Sequence, residues 1–261
     1  MIEKHVDIAM PAGRMDAFVA HPNGPPCPAV IIFMDIWGLR EELFGIARRV
    51  ARAGYYCLLP NVYYRQGKVR FEHRNDKGEM RSLDRLPSDV QEVVLAPNRA
   101  LTDAMVIADM RSLLDFLARE RVRPGAKGAL GYCMGGRHAL CVAGHYPDEM
   151  RAVASLHGTR LVTDAADSTH RLADRFQGEV YCGFAERDTH APPATIAALE
   201  AALKGRRNVQ YHFQVHPGTE HGYALPDRDI HDRSATERDW VEIFAMFARQ
   251  LAPAPIAASS V

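Results

Sequence analysis

Gly131-Tyr132-Cys133-Met134-Gly135-Gly136 is the stretch on which the reading of this chain turns. Its spacing is that of a nucleophile elbow, Gly-x-nucleophile-x-Gly, with cysteine where serine usually stands. Such a turn runs sharply from a strand into a helix, and its central residue sits on strained backbone. Glycines two residues before and after leave room where a Cβ would collide. The flanks fit: Ala129 and Leu130 end a short apolar run, and Arg137 to Tyr146 reads as a helix with apolar Leu140, Val142 and Ala143. Cysteine attacks as the thiolate, which a helix amino terminus and a neighbouring histidine both favour. The same spacing also arises in ordinary turns, and a free cysteine is commonly a small buried hydrophobe. The six residues therefore need partners elsewhere in the chain. A dinucleotide fingerprint is absent, because Gly128, Gly131, Gly135 and Gly136 do not give Gly-x-Gly-x-x-Gly, and no Gly-Lys-Ser/Thr phosphate loop occurs.

On both sides of the elbow, apolar runs alternate with helical spacing. Residues 5–21 read as an opening hairpin around Pro11-Ala12-Gly13. Pro28 to Met34 and Tyr55 to Leu59 are continuous apolar runs, the mark of strands buried on both faces. Arg151 to Leu156, Glu179 to Phe184 and Val209 to Val215 read as further strands. Helices are expected at Glu42 to Ala53, Thr102 to Leu117, Ala191 to Leu203 and Arg233 to Leu251. Strands alternating with helices imply an α/β fold with a mostly parallel sheet of about seven to eight strands. One domain is expected over 1–251, followed by a disordered tail at 252–261. Residues 65–99 break the rhythm: polar, charge-dense and long, they read either as a solvated excursion or as a functional lid.

With 261 residues, 47% hydrophobic and 25% charged, the chain can bury a full core. Its formal net charge of zero points away from nucleic acid and membrane surfaces as partners. No apolar run approaches the ~20 residues needed to span a bilayer. The start, MIEKHVDIAMPAGRMD, lacks a signal-peptide layout, so a cytoplasmic location is expected. Cys27, Cys57, Cys133, Cys141 and Cys182 are odd in number and irregularly spaced, which suits reduced, buried thiols.

A cysteine nucleophile needs a base, and the base needs an orienting acid. In this architecture they lie on loops at strand carboxyl ends, in the order nucleophile, acid, base. After Cys133 the strand ending at Phe184 runs into Ala185-Glu186-Arg187-Asp188, where Asp188 is the natural acid. The strand ending at Val215 runs into His216-Pro217-Gly218-Thr219-Glu220-His221-Gly222-Tyr223, where His221 is the natural base. Glu186, His157, His190 and His216 are competitors. A metal site of His216, Glu220 and His221 lacks the helical i, i+4 histidine pair of a zincin.

On these blocks the chain resembles the dienelactone hydrolase family of α/β-hydrolases. Asp35-Ile36-Trp37-Gly38-Leu39, Gly54-Tyr55 and Pro60-Asn61-Val62-Tyr63 add to the elbow, the Arg187-Asp188 loop and the His221 segment. The resemblance implies a triad of Cys133, Asp188 and His221, with the backbone N–H groups of Ile36 and Met134 as oxyanion donors. It implies an ester or lactone hydrolase that needs no metal or organic cofactor, takes a small-molecule substrate, and is a monomer or small homo-oligomer. Asp35 stands where the family has a glutamate that interacts with the resting cysteine; one methylene shorter, it tunes Cys133 or merely caps the following turn. Trp37 and Tyr223 are the implied substrate contacts. Of the two arginines that fix the substrate carboxylate, one position is Leu225 here, and the other is matched by Arg81, with Arg74 and Arg85 as alternatives. The alternatives to a carboxylate-bearing lactone are a broad esterase or thioesterase for uncharged substrates, and a non-catalytic binding protein of the same fold.

Overall fold

A hairpin opens the chain, β1 (Ile2–Met10) pairing antiparallel with β2 (Gly13–His21) across the turn at Gly13. Beyond it, the apolar runs form six strands: β3 (Ala29–Phe33), β4 (Tyr56–Pro60), β5 (Lys127–Tyr132), β6 (Met150–Leu156), β7 (Gly178–Arg187) and β8 (Val209–Glu220). They join one eight-stranded sheet in the order β1-β2-β4-β3-β5-β6-β7-β8, with β3 to β8 mutually parallel. The computed structural model describes residues 1–251, so the expected disordered tail lies outside the described residues.

The helices are α1 (Glu41–Arg52), α2 (Ser88–Ala100), α3 (Asp103–Leu117), α4 (Met134–His145), α5 (Pro193–Leu203) and α6 (Arg233–Leu251). Their ends follow local chemistry. Acidic Glu41 and Glu42 open α1 and basic Arg49 and Arg52 close it, each matching the helix dipole. Thr102 caps α3 by accepting the Met105 N–H at 3.3 Å. α4 has no side-chain cap, because its N-cap is Cys133. It is also buried from Met134 to Gly144, which puts it in the middle of the molecule.

Residues 65–99 fold into two mostly exposed parts. Their second part is α2, and their first part is a strap laid across the strand ends. The Phe71 N–H donates to the Trp37 carbonyl at 3.0 Å, and the Met80 N–H to the Asp227 carbonyl at 2.7 Å. Ser82 and Arg85 both bind the Asp229 carboxylate, at 2.8 and 2.9 Å. Sequence periodicity misses these links, because each joins residues over thirty positions apart.

At the centre of the sheet three chain segments meet without side chains between them. A Cβ on Gly131 would stand 1.9 Å from the Gly135 carbonyl oxygen, and one on Gly135 would stand 2.2 Å from that of Phe33. Backbone atoms block both positions and cannot swing aside. Gly135→Ala should therefore lower stability by about 3 kcal/mol or more, at the upper end for overpacking. Gly45 lies inside α1 with open space around it, so Gly45→Ala should raise stability by roughly 0.5–1 kcal/mol. Thermal denaturation of the two variants checks both, and shifts of the same sign would refute the steric account.

Candidate active site

Each parallel strand from β3 to β8 delivers one polar or reactive residue at its carboxyl end. Asp35 follows β3, Asn61 follows β4, Cys133 follows β5, His157 follows β6, Asp188 follows β7 and His221 follows β8. This is the sheet edge where open α/β folds place their ligands.

Cys133 adopts φ 56° and ψ −120°, a conformation that costs a non-glycine residue free energy. Neighbouring main chain holds it there. Its N–H donates to the Leu156 carbonyl at 3.1 Å, and its carbonyl accepts the N–H of Gly136 at 3.0 Å and of Thr159 at 3.2 Å. Met134 begins α4, so its N–H is one of the donors a helix leaves without an internal acceptor. Ile36, from the loop after β3, lines the same cleft as Cys133. Gly135 packs against the carbonyls of Phe33 and Met34, which draws that loop onto the elbow.

Asp188 and His221 meet as their order in the chain suggests. His221 Nδ1 lies 2.7 Å from Asp188 Oδ2, and Asp188 Oδ1 accepts the His190 N–H at 2.8 Å. Burial by itself would raise the Asp188 carboxyl, but the His221 bond and charge and the His190 N–H hold it below its ordinary range. Burial likewise opposes charge on His221. Its electrostatic attraction to Cys133 and Asp188 and its hydrogen bonds to both together outweigh that burial, and the imidazole is pushed up to about 10.

The competing residues have other partners. His216 bonds Asp239 at 2.7 Å, and Glu186 accepts the Gly218 N–H at 2.8 Å. His216 and His221 thus turn to different carboxylates, which removes the basis for the metal reading. His190 and His157 pack their rings on His221, with centroids 4.8 and 5.0 Å away.

Other expected contacts are redistributed. Asp35 is clasped by the buried Arg40, at 2.7 and 3.0 Å, while Arg40 also holds Asp227 at 2.6 Å. Asp35 further accepts the Trp37 N–H at 3.1 Å, the geometry of a turn cap. Trp37 lines the cleft as expected. Tyr223 does not: it is wholly buried and gives its hydroxyl hydrogen to Asp239 at 2.6 Å. Tyr181 donates to the same carboxylate at 2.6 Å, so Asp239 ties α6 to β7 and to the His221 loop. Arg81 is exposed on the strap and lies outside the residues that line the cleft. Arg74 binds the Gly78 carbonyl, and Arg85 is paired with Asp229 and Glu220.

The cleft above Cys133 has a volume of about 500 Å³. The strap and α2 form one wall through Ser82, Leu83, Asp84, Gln91, Leu95 and Asn98. The sequence reading missed Arg228. It lines this cleft yet is only 6% exposed, with its guanidinium 5.4 Å from the Trp37 ring centroid. Its Nε has no hydrogen-bond partner among the described residues, and no ion pair reaches it. Nothing in Ala224-Leu225-Pro226-Asp227-Arg228-Asp229 singles it out, because its setting comes from Trp37, almost two hundred residues away.

Comparison with known proteins identifies the family and the fold. The profile of the Dienelactone hydrolase family matches residues 15–251. A relative from Synechocystis sp., provisionally named a carboxymethylenebutenolidase, is 24% identical over 86% of this chain and 87% of its own. Another of that name, from Methylorubrum extorquens, is 27% identical over 92% of this chain and 78% of its own. Among solved structures, a dienelactone hydrolase from Anabaena variabilis superposes with TM-score 0.65 at 16% identity, covering 96% of this chain and 98% of that one. A dienelactone hydrolase-like promiscuous phosphotriesterase from metagenomic libraries gives TM-score 0.71 at 21% identity, with the same coverage. These likenesses show an α/β-hydrolase fold. With its family profile running over nearly the whole folded chain, this protein belongs to the dienelactone hydrolase family, whose members hydrolyse ester and lactone bonds.

Proposed function

We propose that the protein cleaves an ester or lactone through a Cys133 acyl-enzyme. The observation that carries this reading is the elbow cysteine beside a His221 bonded to Asp188 at 2.7 Å. Cys133 loses its proton to His221, and the thiolate attacks the carbonyl carbon. The Met134 and Ile36 amides receive the oxyanion. Collapse expels the alkoxide or enolate, which takes the proton from His221. Neutral His221 then draws a proton from water, and the resulting hydroxide attacks the thioester. The acid leaves, and the Cys133 thiolate is restored beside protonated His221. Asp188 fixes the tautomer throughout, and no step calls on a metal or an organic cofactor.

Substrate choice has two candidate readings. Arg81 lies outside the cleft and Leu225 is buried, which favours uncharged esters. Arg228 supports the other reading. A guanidinium stays charged at any physiological pH, and burying one without an acceptor is costly. A substrate carboxylate would supply that acceptor. We therefore assign the acidic group of the substrate to Arg228, in place of Arg81.

Cys133→Ala should abolish hydrolysis of an activated aryl ester while leaving the fold intact, and mass spectrometry should show no acyl adduct. Full activity in that variant would end the mechanism. Arg228→Gln should raise KM for a lactone bearing a carboxylate and leave its methyl ester nearly unaffected. The loss should be about 1.5–3 kcal/mol, that of a hydrogen bond to a charged group. Equal losses on both substrates would show that Arg228 supports the fold instead.

The pH dependence has a definite sign. A histidine raised to about 10 keeps its proton through neutrality, so its pairing stabilises the fold fully below pH ~6.5. That contribution fades as pH rises toward 10. Asp188→Asn removes one of the supports for the imidazolium. Alkylation of Cys133 by iodoacetamide at pH 6 should then slow, and an unchanged rate would uncouple Asp188 from the thiolate.

A further inference from the structure

His157 carries two costs that folding alone does not explain. It follows β6 with φ 38°, a left-handed conformation rare for a residue with a Cβ. Its side chain is wholly buried, and neither ring nitrogen has a hydrogen-bond partner on another of the described residues. An unsatisfied buried polar atom destabilises the fold. A leucine or phenylalanine would avoid that second cost. Strain and orphaned polar atoms together, next to a reactive centre, point to a role at that centre.

The placement of the ring identifies the role. His157 lies 5.0 Å from the His221 ring at 75°, and 5.7 Å from the Tyr223 ring at 71°. The loop that carries it also grips the nucleophile from both sides. Leu156, just before His157, accepts the Cys133 N–H at 3.1 Å, and Thr159, two residues after it, donates to the Cys133 carbonyl at 3.2 Å. The His157 N–H is itself fixed to the Gly183 carbonyl of β7 at 2.8 Å. One short loop therefore contacts the main chain of Cys133 and the side chain of His221. Besides its hydrogen bonds to Asp188 and Cys133, the His221 ring is held by ring contacts with His157 and His190.

We propose that His157 is a positioning residue: its ring, on the loop that grips Cys133, holds the His221 imidazole in the plane that faces the Cys133 sulfur. The inference rests on the reading of Cys133 and His221 as nucleophile and base. The ring does this without adding charge. Burial, and then the charges of His221 and Arg228, keep His157 neutral, so it does not repel the His221 imidazolium. The groups that face His221 are Asp188, Cys133, His190 and His157. Those that face Cys133 include Arg228 and the buried Tyr63. Among them His157 is the one whose backbone is continuous with the clamp on Cys133.

The test compares His157→Leu with His157→Phe. Both remove the orphaned nitrogens, so neither should lower the thermal midpoint, but only phenylalanine keeps a ring against His221. The leucine variant should lose roughly tenfold to a hundredfold in kcat, the scale of a misplaced catalytic group, with KM little changed. Its Cys133 alkylation profile should move to higher pH. The phenylalanine variant should keep both kcat and profile close to the parent. Unmoved kcat and pH profile in a folded leucine variant would overturn the proposal. So would a phenylalanine variant as impaired as leucine, because the nitrogens would then be the working atoms. Should leucine not fold, the phenylalanine variant alone decides, and failure of both to fold would make the ring a core element and refute the role. Activity retained in Cys133→Ala would signal the separate failure of the underlying mechanism.

Discussion

Backbone lying directly on backbone at Gly131 and Gly135 is the constraint from which the site follows. With no Cβ at either position, the end of β5, the start of α4 and the loop after β3 close to contact distance. Gly136 continues the seam, since a Cβ there would stand 2.5 Å from Ser155 Oγ and 2.9 Å from Gly158 Cα. Main-chain contacts therefore set where Cys133 stands relative to the Ile36 and Met134 amides. Such contacts vary less than side-chain rotamers do. The strained φ of Cys133 is the local cost of that convergence, and the surrounding hydrogen bonds maintain it.

Around this seam, buried charge is treated in two ways. Arg40 is enclosed by Asp35 and Asp227, and Asp239 by Tyr181, Tyr223 and His216. These clusters are satisfied and act as fasteners, since breaking one would leave an uncompensated buried group. The second fastener holds Tyr223, two residues beyond His221, and so steadies the base through its loop. Arg228 Nε and the His157 ring nitrogens have no hydrogen-bond partner on another described residue, and the same holds for the Tyr132 and Ser155 hydroxyls beside the elbow.

Strand identities, the elbow, Asp188 and His221 were legible in the sequence because each is carried by local pattern or by order along the chain. β3 reads as buried on both faces from seven consecutive residues, and the hairpin from its turn at Gly13. Boundaries shifted where hydrogen bonds outran hydrophobicity: β8 continues through His216-Pro217-Gly218 to Glu220, paired with Arg187 of β7. Which side chains border the cleft was less legible. Arg81 looked apt because it follows a strand end at a plausible distance, yet the strap turns it outward. Tyr223 sits beside His221 in sequence but faces Asp239 across the sheet. Arg228 is defined by Trp37, and Asp35 by Arg40, pairings that no spacing rule encodes.

This division has a physical origin that bears on what the family can vary. Cys133, Asp188 and His221 stand on strand ends inside one hydrogen-bonded sheet, so displacing any of them disturbs the core. The cleft wall comes from the strap and α2, attached through a few backbone pairings at Trp37 and Asp227 and through the Asp229 carboxylate. Wall residues can change without moving the elbow. Relatives at 24% identity can thus share a reaction while differing in what they admit to it. For this chain the sheet positions Cys133, Asp188 and His221, whereas the strap, α2 and Arg228 line the cleft around them.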